Sequence, residues 1–213
     1  MCNLYSLTRS QEAMRRLFAI KRDLTGNLAS MPAIYPDMLA PVVRIAKDGE
    51  RQLEMMRWGF PPPPNLGARP VSNVRNVKSP YWRPWLKPEF RCLAPASSFC
   101  EWTDGAPKTP HWFALRGQEP RPLFAFAGVW RPWTGERKGV SGEHLLFSFL
   151  TTDANDVVRP VHAKAMPVML TESMWDAWLS EPTEKALELH RPAPPENMGI
   201  CLRGATTDAG TDV

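Results

Sequence analysis

The sequence lacks the features that mark a membrane-spanning or secreted protein. None of its segments approaches the stretch of about 18 continuous apolar residues that a membrane-spanning helix needs. The first residues, MCNLYSLTRSQEAMRR, have neither the basic region nor the apolar run of a signal peptide. These absences predict a cytoplasmic protein that does not associate with membranes, and we expect a monomer.

Cysteine is scarce. The four cysteines form no CxxC pair and are too few for a disulfide framework in a chain of 213 residues. No histidine lies at zinc-finger spacing from Cys92 and Cys100. We therefore expect no disulfide, no metal and no other cofactor, and we interpret Cys92, Cys100 and Cys201 as buried, unreactive thiols.

Proline, by contrast, is abundant. The 23 prolines are about twice the usual share of about 5%, which disfavours long helices and indicates a loop-rich fold. With 43% hydrophobic residues, the chain can bury the core of one domain. A net charge of +4 favours a polyanionic partner. The nine tryptophans belong mostly in the core, although some could stack on bases.

The amino-terminal part of the chain is predicted to contain one short helix and one hairpin. Thr8 and Gln11 can form a capping box before a segment whose apolar residues share one helical face. An Asp-Gly pair lies between two segments with strand character, 39–46 and 51–58. Asp-Gly is a strong signal for a two-residue turn, so these segments are predicted to pair as a hairpin.

The rest of the chain is predicted to be mainly strands and proline-rich loops. A second hairpin is expected between 111–117 and 122–130, and the other expected elements are loops at 61–64 and 79–90, strands at 144–152 and 199–203, a helix capped by Thr171 and a short helix after Pro182. This pattern indicates an α+β fold in which residues 1–203 form a single domain, built on an antiparallel, barrel-like β-sheet with short peripheral helices. Residues 204–213 are expected to be a loose polar tail.

Cys2 has chemical potential because of its position. Its small side chain permits removal of Met1, which would leave a free α-amine beside a thiol. An α-amine has a pKa of about 7.7–8.0, so a useful fraction is neutral and nucleophilic at cytoplasmic pH. The amine can condense with an aldehyde to an imine, and the thiol can then close a five-membered thiazolidine. A cysteine at position 2 could also be incidental, because single-residue motifs are weak.

Three further segments supply side chains suited to chemistry. PVSNVRNVKSP contains Asn73 and Arg75, RCLAPASSFCEW contains Glu101, and RPVHAKAMPVML contains His162. Each has a simpler interpretation: Asn73 as a turn residue, Glu101 as a surface carboxylate and His162 as a loop histidine. Only their combination with Cys2 argues for a site.

Together these segments resemble the SRAP family, the SOS-response-associated peptidases that are also described as abasic site processing proteins. Its members begin with Met-Cys and then show a Trp-Gly segment, an Asn-x-Arg motif, a CL-P-A-x-x-F-x-E-W block and a His…Met-Pro-Val block. The matching segments keep this order here: Met1-Cys2, Arg57-Trp58-Gly59, Asn73-Val74-Arg75, Arg91 to Trp102 and His162 to Val168. The block ending in Glu101-Trp102 is the most specific of them.

The chain also departs from the family pattern. Asn3-Leu4 follow the cysteine, where the family often has Gly-Arg. Asn76-Val77 follow the Asn-x-Arg motif, where an acidic residue is common. The histidine block, His162 to Pro167, is one residue longer than usual, although Lys164 keeps its positive charge. These departures indicate a divergent branch.

The resemblance implies a function. It implies that Met1 is removed, by the protein itself or by an aminopeptidase, and that the chain then forms a thiazolidine crosslink with abasic sites in single-stranded DNA. Weak lyase activity would accompany the imine. The implied catalytic residues are Cys2, Asn73, Glu101 and His162, and the implied DNA-binding residues are Arg75 and Trp58.

Each of these residues has a role that its chemistry allows. His162 suits acid–base help in opening the abasic sugar, and Glu101 can hold the Cys2 amine and shuttle its proton. Asn73 can orient the sugar or the amino-terminal backbone. Arg75 can clamp a phosphate. Trp58 can stack on a base beside the lesion, or else be a core residue.

Two other functions remain open from the sequence. In an amino-terminal-nucleophile amidohydrolase, the free amine would act as base for the Cys2 thiol and Asn73 would lie in an oxyanion hole. That function leaves Trp58 and Arg75 without a role. A non-catalytic module that binds single strands would leave Cys2 and Glu101 unexplained.

Overall fold

The computed structural model describes residues 2–63, 67, 69–117 and 120–210. Three parts of the predictions lie outside the described residues: Met1, Pro64 of the loop at 61–64 and the last three residues of the tail. In the described part of the chain the strands are β1 (Tyr5–Leu7), β2 (Arg22–Asp23), β3 (Met31–Ile34), β4 (Leu39–Ile45), β5 (Arg51–Trp58), β6 (Asn73–Val74), β7 (Arg91–Ala96), β8 (Ser98–Trp102), β9 (Pro110–Leu115), β10 (Phe124–Arg137), β11 (Val140–Thr152), β12 (Met166–Pro167), β13 (Met169–Leu170) and β14 (Met198–Arg203).

Helices are few and short, as the proline content predicted. They are α1 (Gln11–Leu17), α2 (Glu172–Ser180) and α3 (Thr183–Ala186), with 3-10 turns at Arg83–Leu86, Pro88–Phe90, Leu187–Leu189 and Pro195–Asn197. In the described part of the chain, no helix is long and apolar enough to traverse a bilayer.

Five strands close into a barrel. β4 pairs with β5 and with β7, β7 pairs with β10, and β10 pairs with β11, all antiparallel. The ring closes where β11 runs parallel to β5, with Leu146 opposite Arg57 and Phe147 opposite Trp58. The predicted α+β fold with a barrel-like sheet is therefore confirmed, although its closing contact is parallel.

A second sheet lies beside the barrel in the order β14-β9-β8-β1-β3. It contains the amino-terminal strand, because β1 pairs antiparallel with both β3 and β8. Between β1 and the barrel, Tyr5 meets the rings of Trp58 and Phe126 edge-on at 5.2 and 5.3 Å, and Phe149 lies 5.0 Å from Trp58. This aromatic core fixes the start of the chain against the barrel.

Helix α2 packs against the barrel. Trp175 and Trp178 are buried, and the Trp178 indole nitrogen donates to the carbonyl of Cys92 in β7 at 2.9 Å. The guanidinium of Arg91, itself buried, donates to the carbonyls of Trp178 and Glu181 at the end of the helix. A cation at a helix carboxyl end satisfies carbonyls that lack partners within the helix.

Of the two predicted hairpins, the structure contains only the first. The hairpin of 39–46 and 51–58 is confirmed as β4–β5. The second predicted hairpin is wrong: β9 pairs with β8 and β14, whereas β10 pairs with β7, β11 and β13. The start of α1 is also corrected, since its N-cap is Ser10, whose hydroxyl accepts from the Ala13 amide at 3.2 Å.

The described part of the predicted tail contacts the second sheet. Residues 204–210 pack on the second sheet, where the amide of Gly204 donates to the carbonyl of Pro110 at 2.9 Å. Asp208 is almost completely buried. The described part of the predicted tail therefore includes a buried carboxylate, and such a group requires partners that hold it in place.

Candidate active site

Asn73 holds the backbone of Cys2. It lies in β6, which runs parallel to β11 with Asn73 opposite Phe149. Its side-chain amide donates to the carbonyl of Cys2 at 2.9 Å and to the hydroxyl of Ser72 at 2.8 Å. The Ser72 hydroxyl in turn donates to the Asn3 side chain at 3.4 Å. A buried amide with this contact fixes the position of the amino-terminal residues.

Glu101 lies in β8, next to the amino-terminal segment. The amide of Cys100 donates to the carbonyl of Leu4 at 2.9 Å, which extends the β1–β8 pairing toward Cys2. The Glu101 side chain is buried, and its Oε1 has no hydrogen-bond partner among the described residues. Asn73 Oδ1 is also buried and has no hydrogen-bond partner among these residues. Buried oxygen atoms with unused bonding capacity are costly and concentrate at functional sites.

The pKa of the Glu101 carboxyl is raised toward neutral pH. Burial raises its pKa from 4.5 to about 7, and the negative charge of Asp104 acts in the same direction. A carboxyl with such a pKa exchanges its proton readily near physiological pH. This property fits a proton shuttle.

The Cys2 thiol is held in its protonated form. Burial raises its pKa well above the ordinary value, and the charge of Glu101 adds to the effect. Its sulfur lies 3.5 Å from the carbonyl of Leu4, to which the thiol donates. A protonated thiol is a poor initial nucleophile.

His162 lines a cleft of about 340 Å³ together with Glu101. The other residues around this cleft are Trp102, Thr103, Asp104 and Lys108. The amide of His162 donates to the carbonyl of Val158 at 2.9 Å, which ends a turn just before the histidine block. The longer block thus still brings His162 to the same cleft as Glu101.

The charge of His162 is governed by its surroundings. Burial lowers its pKa below 6.5, Lys164 lowers it further, and Asp104, whose carboxylate lies 3.8 Å from Nδ1, raises it. Asp104 and Lys108 were not predicted as site residues from the sequence. Their charges in the loop directly after Glu101-Trp102 were the available signal.

Arg75 and Trp58, the two predicted DNA-binding residues, lie in different environments. Arg75 has a side chain that is 44% exposed and forms an ion pair with Asp153. The interpretation of Trp58 as a base-stacking residue is wrong. Its side chain is fully buried in the aromatic core, and its indole nitrogen donates to the carbonyl of Ser72 at 2.9 Å. Through this bond Trp58 holds the backbone of Ser72, the residue before Asn73.

The remaining predictions concern the other cysteines and a possible metal site. Cys92 and Cys100 are buried as predicted, but Cys201 is only partly buried. Within the described residues, no group of three or more His, Cys, Asp or Glu side chains could hold a metal ion. A larger cavity of about 570 Å³ lies between α1, α2 and residues 120–123, and none of the predicted site residues lines it.

The fold and the cleft define a single-domain barrel protein whose candidate site is built around its amino-terminal residues. A model of the SOS response associated peptidase (SRAP) family matches residues 1–202, and the chain belongs to this family.

Three relatives in Bacillus subtilis (strain 168) carry the name abasic site processing protein. YoqW is 30% identical over 150 residues, YoaM 30% over 151 and YobE 31% over 151. Each match covers 65% of this chain. It spans 62% of the length of YoqW and of YoaM, and 64% of YobE.

Solved structures share the fold. A protein from Bordetella bronchiseptica superimposes with a TM-score of 0.75 at 21% identity, and the match covers 100% of both chains. A protein from Bacteroides thetaiotaomicron gives a TM-score of 0.72 at 20% identity, covering 93% of this chain and 90% of that one. These likenesses support the barrel architecture.

Proposed function

We propose that this chain processes abasic sites in single-stranded DNA by attaching itself to them covalently through Cys2, after removal of Met1. The observation that carries the proposal is the buried carboxyl of Glu101 beside Cys2. The side-chain amide of Asn73 holds Cys2 in this position by donating to its carbonyl oxygen at 2.9 Å. The names of the Bacillus relatives indicate the substrate.

The α-amine of Cys2 makes the first attack. An abasic sugar in its open form presents an aldehyde, and a neutral amine adds to it and expels water to give an imine. Glu101, with a pKa of about 7, can give its proton to the departing oxygen and recover one from the amine nitrogen. The free Oε1 of Glu101 and Oδ1 of Asn73 are available acceptors for the amine hydrogens.

The thiol closes the product. Sulfur adds to the imine carbon while the thiol proton passes to the imine nitrogen, which gives a five-membered thiazolidine without any further reactant. The raised pKa of the Cys2 thiol favours this order, because the amine reacts before a thiolate forms. The same property disfavours an amidohydrolase, in which the thiol attacks first.

His162 and Arg75 complete the proposal. His162 lies in the Glu101 cleft and can assist the opening of the closed sugar. An imine that is not closed by the thiol allows β-elimination, which gives a weak lyase activity.

Arg75 is partly exposed and lies two residues after Asn73, so it can exchange its Asp153 partner for a DNA phosphate. Met1 removal frees the amine, and Glu101 and His162 can assist that hydrolysis.

The test is a crosslinking assay with an oligonucleotide that carries one abasic site. After denaturation, the wild-type protein should shift the oligonucleotide on a gel, and mass spectrometry should show the loss of Met1. Cys2→Ala should abolish the shift, whereas Cys201→Ala, the matched control, should keep it. An oligonucleotide without the lesion should not shift at all.

Other outcomes identify the competing functions. Binding without any denaturation-resistant shift would contradict the covalent proposal and indicate a simple single-strand-binding module. Hydrolysis of a glutamine amide that depends on Cys2 would indicate the amidohydrolase instead. A shift that survives in Cys2→Ala would move the nucleophile to another residue.

A further inference from the structure

The segment 204–210, called the strap below, crosses the second sheet. Near its start, the indole nitrogen of Trp112 in β9 donates to the carbonyl of Ala205 at 2.9 Å. Further along, the amide of Asp208 donates to the carbonyl of Pro32 in β3 at 2.9 Å. Since β8 and β1 lie between β9 and β3 in the sheet, the strap passes over both of them.

Asp208 anchors the strap in the sheet. Its side chain is only 2% exposed and forms an ion pair with Arg121. The hydroxyl of Ser98 in β8 donates to its carboxylate at 2.5 Å. Ser98 has one proton to donate, so the contact of 2.7 Å with the hydroxyl of Ser6 must be a hydrogen bond donated by Ser6. A chain of bonds thus runs from β1 through β8 to Asp208.

This chain of bonds joins the two strands that hold the proposed site. Ser6 lies in β1, four residues after Cys2, and Ser98 lies in β8, three residues before Glu101. Ser6 and Ser98 are direct partners in the β1–β8 pairing. Polar groups buried in such a network hold each other in one geometry.

We propose that Asp208 is a positioning residue that fixes the β1–β8 register and thereby keeps Cys2 beside Glu101. The strap lies beyond the residues 1–202 that the family match covers. Asp208 acts through Ser98 and contributes no atom to the reaction. The consequence for crosslinking rests on the proposed function, whereas the effect on the strand pair does not.

Hydrogen exchange tests the strand pair directly. Two amides report on it: Ser97, which donates to the carbonyl of Ser6 at 2.8 Å, and Cys100, which donates to Leu4. Asp208→Asn removes the charge and keeps the size, and it should raise exchange at both amides about tenfold, the effect of losing one charge-assisted hydrogen bond.

Controls separate a local effect from general destabilisation. The amide of Ala127, which donates to Val168 in the barrel at 3.1 Å, should exchange at an unchanged rate. Thr207→Ala alters the exposed neighbour of Asp208 and should change none of these amides. Ser98→Ala keeps the pair of Asp208 with Arg121 and should reproduce the effect, which provides the test if Asp208→Asn does not fold.

Crosslinking provides the second measurement. At saturating abasic oligonucleotide, Asp208→Asn should slow covalent capture about tenfold and leave the noncovalent dissociation constant unchanged. Equal acceleration of exchange in the barrel and in the β1–β8 pair, or no acceleration in either, would overturn the role of Asp208. A wild-type protein that never crosslinks would refute the proposed function while the exchange result still decides on the strap.

Discussion

The raised pKa of Glu101 makes a measurable prediction about stability. Burial displaces the pKa from 4.5 to about 7 in a side chain that is 3% exposed. Because a tenfold change in proton affinity corresponds to about 1.4 kcal/mol, the folded chain loses about 3 kcal/mol of stability when this carboxyl must ionise. The folded state binds the proton more tightly than the unfolded state, so the loss occurs as pH rises from about 4.5 to about 7.

Replacing Glu101 by Gln removes this loss. The free energy of unfolding of Glu101→Gln, minus that of wild type, should increase by about 3 kcal/mol between about pH 4 and pH 8. Urea titrations followed by tryptophan fluorescence measure both proteins, and equal m values would show that the same unit unfolds. A difference that stays constant over this range would refute the buried, neutral-to-charged transition at Glu101.

Three further substitutions test other parts of the structure. Trp58→Ala should lower the free energy of unfolding by about 3–5 kcal/mol, measured in urea, because it empties the centre of the aromatic core. Gly59→Ala should also destabilise the fold, since φ is +117° and a Cβ would lie 2.5 Å from Pro70 Cβ; a wild-type melting temperature would contradict this. Arg75→Ala should weaken noncovalent DNA binding and reduce the slope of log affinity against log salt by about 0.7, and an unchanged slope would exclude a phosphate contact.

Local sequence signals predicted the elements better than their partners. The Asp48-Gly49 turn predicted the β4–β5 hairpin because two residues decide its geometry. The closure of the barrel through Leu146 and Arg57 depends on strands almost 90 residues apart, and no local pattern encodes it. The segments 111–117 and 122–130 were predicted to pair because they are close in sequence, but both find partners elsewhere.

The site was predictable only as a combination. Single-residue chemistry supplied Cys2, and the resemblance to a family supplied Asn73, Glu101 and His162 as its neighbours. The role of Trp58 could not be decided from the sequence, because its ring suits both a core position and a base-stacking surface. Its complete burial in the structure assigns it to the core. Asp208 was missed for the opposite reason, because a polar residue near the end of the chain is usually exposed.

Two of the ionisable groups in the cleft, Glu101 and His162, reverse the usual order of their pKa values. Burial raises the pKa of Glu101 to about 7 and lowers that of His162 below 6.5. Near neutral pH, Glu101 is therefore about half protonated while His162 is largely neutral, so in the proposed reaction the carboxyl can act as the acid and the imidazole as the base.

This order predicts a bell-shaped dependence of the crosslinking rate on pH. The rate should rise as His162 and then the α-amine lose their protons, and it should fall at alkaline pH, where the ionisation of Glu101 outweighs the gain in neutral amine. Glu101→Gln should lose the alkaline limb and give a lower rate that continues to rise with pH as the α-amine becomes neutral. His162→Asn should lower the rate and leave an acidic limb that follows the deprotonation of the α-amine alone. If Glu101→Gln retained the wild-type alkaline limb, that limb would belong to another group and Glu101 would not act as the acid.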